Sequence, residues 1–305
     1  GTSYGNGILD SSRGAGLGLY PDRDDGDTTF TSDFDSFDSD GFTVDAGSSM
    51  NINNSGSPFV AHCWRANGGT TTSFTASGDR LAGTYQANTN SKFSIITYTG
   101  SGSADAEVLH GLGTTPNFII AKDRGATYWW NVYLKSGGTV HTGYDSLLYI
   151  NSNNAIASSQ PVNIAPDSTK IVFSGNEQIN KSSNTYVMYA WADNEMQKFG
   201  YYQGNGDADG PFIYTGGRPA LVVTKRVDSS GSWLVHDNKR DTYNPVKEIL
   251  LWDDSQAEFN GTNDRVDFLS NGFKVRSSNT GINGDGNDYI YMCWMDVPLK
   301  YSNTF

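Results

Sequence analysis

The sequence predicts an all-β protein made of tandem antiparallel β-sandwich repeats with jelly-roll-like connections. Three observations carry that expectation. A motif Ile-Asn-x5-aromatic-aliphatic-x3-Trp occurs three times, ending at Trp64, Trp191 and Trp294. The apolar segments are short and β-branched or aromatic, and Gly, Asn, Asp and Ser clusters separate them, as strands and turns require. No window sustains a helical period, and 35 glycines in 305 residues make long helices costly.

The repeat also sorts residues by role. A position that recurs in every copy holds the fold, and one that does not recur is freer to carry function.

Taken in order, residues 1–65 read as an incomplete first unit. Arg13 stands where the third copy has Arg240, so this unit starts about halfway through the repeat. Its Phe37-Asp-Ser-Asp-Gly41-Phe42 matches Phe268-Leu-Ser-Asn-Gly272-Phe273, but two opening strands have no counterpart. Residues 66–92, rich in Gly, Thr, Ser, Ala and Asn, read as a flexible or loosely docked linker. Two complete units follow, at 93–196 and 197–305. The second offers strands at 93–98, 117–122, 130–134, 147–150, 170–173 and 186–191. The third repeats them at 200–203, 220–226, 233–237, 248–251, 266–269, 273–276 and 289–295. About 100 residues per unit suffices for a core of its own, and the short hinge 191–199 predicts docked units arranged in a row.

The recurring tryptophans read as core: Trp64, Trp191 and Trp294 recur together, as do Trp130 and Trp233, each eight residues after a lysine. Cys63 and Cys293 occupy equivalent positions, and a pair of buried free thiols is the expected state. The pairs Gly100-Ser-Gly102 and Gly204-Asn-Gly206 lack the following helix of a phosphate loop and read as tight turns.

A formal charge of −12 and a pI near 4.6 argue against nucleic acid and anionic membrane as partners. No apolar run is long enough to span a bilayer, and Gly1-Thr-Ser-Tyr4 shows no signal-peptide pattern. The four histidines His62, His110, His141 and His236 lack zinc spacing. No nucleophile elbow appears and no carboxylate pair is singled out, so no catalytic residues are assigned. No cofactor is expected. Calcium is weighed only at Asp22-Arg-Asp24-Asp25-Gly26-Asp27, whose glycine falls one position early for an EF-hand loop.

Aromatic residues without clear counterparts remain: Tyr128, Trp129, Tyr243 and Trp252. Exposed rings of this kind can stack on sugar rings, and these four are the candidate ligand-binding residues. Packing between units or subunits is the competing reading.

Phe93-Ser-Ile-Ile-Thr-Tyr-Thr-Gly-Ser-Gly102, His110-Gly-Leu-Gly-Thr-Thr-Pro-Asn-Phe-Ile-Ile-Ala-Lys122, Gly206-Asp-Ala-Asp-Gly-Pro-Phe-Ile-Tyr-Thr-Gly216 and Phe268-Leu-Ser-Asn-Gly-Phe-Lys-Val-Arg276 resemble a repeat family of phage virion proteins. Such proteins are frequent in marine and cyanobacterial phages and are commonly labelled tail fibre or virion structural protein. The resemblance runs from about Ser11 to the end. It implies concanavalin-like sandwiches, a place on the virion and no catalytic residues. The expectations that follow are a non-enzymatic, tail-fibre-like protein attaching to host surface glycans, or a purely structural virion component such as a capsid decoration or fibre shaft. A polysaccharide depolymerase ranks third. Partners would be other virion proteins, further copies of this chain and a host glycan. The incomplete first unit predicts completion by strand addition, with the 300–305 tail of a neighbouring copy as one donor.

Overall fold

Period-two alternation in the repeated motif sends successive side chains to two different cores, and the architecture follows from that. The computed structural model describes residues 5–30, 32–47, 50–67, 69–135, 146–158 and 163–296. Gly1–Tyr4, His141 and the 300–305 tail lie outside the described residues.

The first unit holds β1 (Ile8–Leu9), β2 (Leu17–Leu19) and β3 (Thr28–Thr29) in one sheet, then the hairpin of β4 (Phe34–Phe37) and β5 (Phe42–Val44). Next come β6 (Thr72–Phe74), β7 (Gly83–Asn88), β8 (Phe93–Thr99), β9 (Ala106–Leu109), β10 (Phe118–Asp123) and β11 (Asn131–Leu134). The second unit ends with β12 (Ser146–Tyr149), β13 (Ala157–Ser158), β14 (Ile164–Pro166), β15 (Lys170–Phe173), the one-turn helix α1 (Glu177–Asn180) and β16 (Thr185–Trp191). The third unit contains β17 (Gln197–Gln203), β18 (Phe212–Tyr214), β19 (Pro219–Arg226), β20 (Leu234–Asp237) and β21 (Glu248–Leu251). It closes with β22 (Phe259–Asn260), β23 (Val266–Leu269), β24 (Gly272–Val275) and β25 (Asp288–Met295).

Each complete unit is a sandwich of one broad and one narrow antiparallel sheet. The second pairs β13-β12-β11-β10-β16-β8-β7-β6 with β14-β15-β9; the third pairs β17-β25-β19-β20-β21-β22 with β18-β24-β23. On the central strand β16, Tyr186, Met188 and Ala190 face the core inside the unit. Val187, Tyr189 and Trp191 face a separate core shared between units. Strand β25 repeats the division: Tyr289, Tyr291 and Cys293 point inward, while Ile290, Met292 and Trp294 join the shared core. Because both faces of these strands are covered, they read as continuous apolar runs rather than as alternating ones.

The row of units expected from the sequence is not what forms. Trp64, Trp191 and Trp294 meet in a triangle, with ring centroids 5.9, 5.1 and 6.1 Å apart. The contacts between units recur in cyclic order around it. Trp130 Nε1 donates to the carbonyls of Tyr20 and Arg23 in the first unit, and Trp233 Nε1 donates to those of Tyr149 and Ser152 in the second. The third unit returns to the first: Asn6, at the place of those tryptophans, donates to Leu251 O and Asp254 O. A row would leave the apolar face of each end unit in water, whereas a closed ring buries all three.

Residues 66–92 correct a second expectation. They are no loose linker: β7 pairs with β8 over six positions from Gly83↔Tyr98 to Asn88↔Phe93, and β6 pairs with β7. Their Thr, Ala and Ser content suits the outer strands of a sheet, where little side chain must be buried. A third correction concerns the thiols. Both are free, but only Cys293 is buried; Cys63 is exposed, because none of the described residues covers its segment as the narrow sheet covers β25.

Candidate functional site

The recurring residues account for the scaffold. Asn180 Nδ2 donates to Ser103 O while its Oδ1 accepts from Ser101 N, and Asn283 repeats both bonds to Asp207 O and Asn205 N. The motif asparagine therefore holds the Gly-x-Gly turn, in which Gly102 and Gly206 adopt φ of 78° and 67°. The motif tyrosine closes the same corner: Tyr186 Oη donates to Glu177 O, as Tyr289 Oη does to Thr280 O. The recurring lysines are buried, and their ammonium groups are satisfied by carbonyls. Lys122 donates to Asp123 O and Ala126 O; Lys225 donates to Asn154 O and Arg226 O. Burial lowers both to about 8.

A second recurring device ties the units together. Arg13 Nε donates to Asp10 Oδ2 at 2.5 Å, and Arg240 Nε donates to Asp237 Oδ2 at 2.6 Å. Each pair is approached by the next unit in the ring. Tyr189 donates to Asp10 Oδ2, and His62 Nε2 lies 3.4 Å from Asp237 Oδ2. The second unit has Leu134 in place of the aspartate, and the approaching residue is the apolar Met292; both belong to the shared core. Polar therefore meets polar, and apolar meets apolar, at each of the three junctions.

One surface cluster does not recur. Tyr128 and Trp129 lie in the loop from β10 to β11, Tyr149 ends β12, and Glu177, Gln178 and Lys181 come from α1 and its C-cap. Trp129 stands edge-on to Tyr149 at 4.5 Å. Tyr128 Oη donates to Glu177 Oε2 at 2.9 Å, Lys181 Nζ donates to Tyr128 Oη, and Gln178 Nε2 donates to Tyr149 Oη. Lys181 also sits over the Tyr128 ring, 5.8 Å from its centroid. The Tyr128 hydroxyl, then Lys181, hold the Glu177 carboxyl below its usual range. Tyr128 and then Glu177 raise the Lys181 ammonium. The third unit has Gly231, Ser232, Leu251, Thr280, Gly281 and Gly284 at the equivalent positions. Rings, carboxylate, amide and ammonium thus occur together in the second unit and are absent from the same places in the third.

The four aromatic candidates divide accordingly. Tyr128 and Trp129 come together, with Trp129 38% exposed. Tyr243 stands apart on a loop of the third unit, 85% exposed, with no ring contact among the described residues. Trp252 packs on the shared core, 6.4 Å from both Trp233 and Trp294, so its ring is committed to packing. Tyr149, Glu177, Gln178 and Lys181 were missed. Comparing the copies position by position would have marked them, since none of the four side chains recurs in the third unit. The acidic loop 22–27 serves as structure: carbonyls at 20 and 23 hold Trp130, and Asp27 accepts from Arg13 and Arg124. No group of three or more metal-ligating side chains occurs among the described residues.

A family model described as a domain of unknown function, DUF7483, matches residues 2–298, and the chain belongs to that family. The match treats the ring of three units as one domain. No curated protein and no solved structure matches the chain.

Proposed function

We propose that this is a non-enzymatic virion protein of the tail-fibre type that attaches to host surface glycans through the Tyr128–Trp129–Tyr149 cluster. The observation that carries the reading is the convergence of six side chains, none shared with the third unit, on one exposed corner. A saccharide offers an apolar C–H face and a rim of hydroxyls. Trp129 and Tyr149 suit the face; Glu177 as acceptor, Lys181 as donor and Gln178 as both suit the rim. The motif resemblance to phage repeat proteins supports the virion setting. A second reading, a purely structural capsid decoration or fibre shaft, draws support from the uncovered strand of the first unit.

The test is binding of the intact chain to an array of bacterial surface polysaccharide fragments. Attachment predicts a bound glycan whose retention falls at least about tenfold in Trp129→Ala with thermal stability unchanged, as loss of one stacking ring implies. Absence of any bound glycan, or equal binding by Trp129→Ala, would overturn the attachment reading.

A further inference from the structure

We propose that the first unit is completed by a further half-repeat of polypeptide, a three-strand segment of the same type as residues 93–123, seated on segment 58–65 and on β5. This inference stands independently of the glycan reading.

Segment 58–65 is the first unit's copy of β16 and β25. Its side chains alternate as a strand's do: Val60, His62 and Trp64 are half-buried, and Phe59, Ala61, Cys63 and Arg65 are exposed. Yet no strand pairs with it among the described residues. In the complete units, β16 is bonded on one edge to β8 and on the other to β10, and β25 likewise to β17 and β19. Two open edges on one extended segment are a strong template for strand addition.

The narrow sheet shows the same deficit independently. β4 and β5 pair Phe37 with Phe42, matching Phe268 with Phe273 in the third unit. The third strand that β9 and β18 supply elsewhere has no counterpart among the described residues. Exposure follows: Phe37, Phe42 and Phe59 are 39, 40 and 50% exposed, against 3, 0 and 0% for Phe268, Phe273 and Tyr289. Asn53 is exposed too, whereas Asn180 and Asn283 are buried on their Gly-x-Gly turns.

Every missing contact is one that residues 93–123 or 197–226 make in their own units. The chain carries those two segments, and both are engaged. The occupant must therefore bring a strand for each edge of 58–65, a third strand for β5 and a Gly-x-Gly turn for Asn53. A half-repeat of this family meets all four needs in one piece.

The experiment places a second copy of residues 93–124 directly ahead of Gly1 in the full chain. Asn6 stands at the position of Trp130, so Gly1 corresponds to Gly125 and the joint restores the repeat. Two readouts report coverage: maleimide labelling of Cys63, with buried Cys293 as internal control, and amide exchange at 59–65. The unfused chain should be monomeric by light scattering, label rapidly at Cys63 and exchange fast at 59–65. The fusion should slow labelling at least about tenfold and exchange by on the order of a hundredfold, as local closure requires. If the fusion does not fold, residues 93–124 added as a separate polypeptide must produce the same two protections. The proposal is overturned by protection of 59–65 in the unfused monomer, or by a dimer protected there, which would make a second copy the occupant. Failure of both fused and added segments to protect Cys63 overturns it as well.

Discussion

Trp64 meets Trp294 edge to face at 5.1 Å, joining the first motif to the last. Trp191 completes the triangle and is itself stacked on Phe93 and Phe118 at 4.9 and 5.3 Å. Aromatic pairs of this geometry are worth roughly 0.5–1.5 kcal/mol each beyond burial. Among the described residues the first unit has only the three-stranded sheet β1-β2-β3 and the hairpin β4-β5, so this triangle is a main hold on the rest.

Trp64→Ala should therefore loosen the first unit selectively. Its ring is half-buried, and the expected cost is about 2–3 kcal/mol, below the range for fully buried aromatic truncation. Limited proteolysis should cut near residues 66–71 before β16 or β25 opens. Uniform loss of all three units would contradict the hierarchy.

The junction chemistry gives a sharper comparison. Tyr189→Phe removes a donor to Asp10 Oδ2 at 2.6 Å and an acceptor for Arg13 at 3.1 Å, both buried. Leaving that pair short of a partner should cost about 1–3 kcal/mol in denaturant unfolding. Met292→Leu, at the equivalent apolar junction, conserves volume and should cost less than about 1.5 kcal/mol. Equal costs would mean that the hydroxyl contributes nothing.

Acid should weaken the chain through His236. Burial lowers its pKa from 6.5 to about 4, and its Nε2 donates to Asp264 O. The folded value lies below the unfolded one, so the unfolded chain takes the proton first as pH falls. Stability is full above about 6.5 and is lost progressively toward 4, by about 3 kcal/mol. His236→Gln should reduce the slope of unfolding free energy across that window, leaving the part due to His110, which burial also lowers. Persistence of the slope would assign it to other groups.

Much of the fold was legible because the repeat repeats its physics. The Ile-Asn-x5-Tyr spacing encodes an asparagine on a turn and a tyrosine closing the same corner, and strand positions follow from alternation around it. The ring was not legible: Trp64, Trp191 and Trp294 read as core, but nothing local says that their three faces share one core. Residues 66–92 misled because outer strands bury little and so look like linker. At the candidate site, Tyr128 and Trp129 were visible as unmatched aromatics. Glu177 and Lys181 carry no signal of their own and matter only once the chain brings them beside Tyr128.

On the alkaline side stability should again rise with pH, then reverse. Lys122 and Lys225 are lowered by burial from 10.5 to about 8. Between about 8 and 10.5 the unfolded chain holds protons that the folded chain has released, so stability rises with pH, by up to about 3 kcal/mol for each lysine. Tyr98, Tyr189 and Tyr202 are raised well above 10, first of all by burial. Their contribution is complete below 10 and declines as pH climbs past it, because the unfolded phenols ionise first. Unfolding free energy should therefore climb from pH 8 and turn over near 10. Lys225→Met leaves Asn154 O and Arg226 O without this donor, a cost independent of pH. Its signature is thus in the slope: the variant should lose about half of the rise between pH 8 and 10 while keeping the fall above it. A variant with the parent's slope would show that Lys225 titrates as an ordinary lysine, its carbonyl contacts fully offsetting the cost of burial.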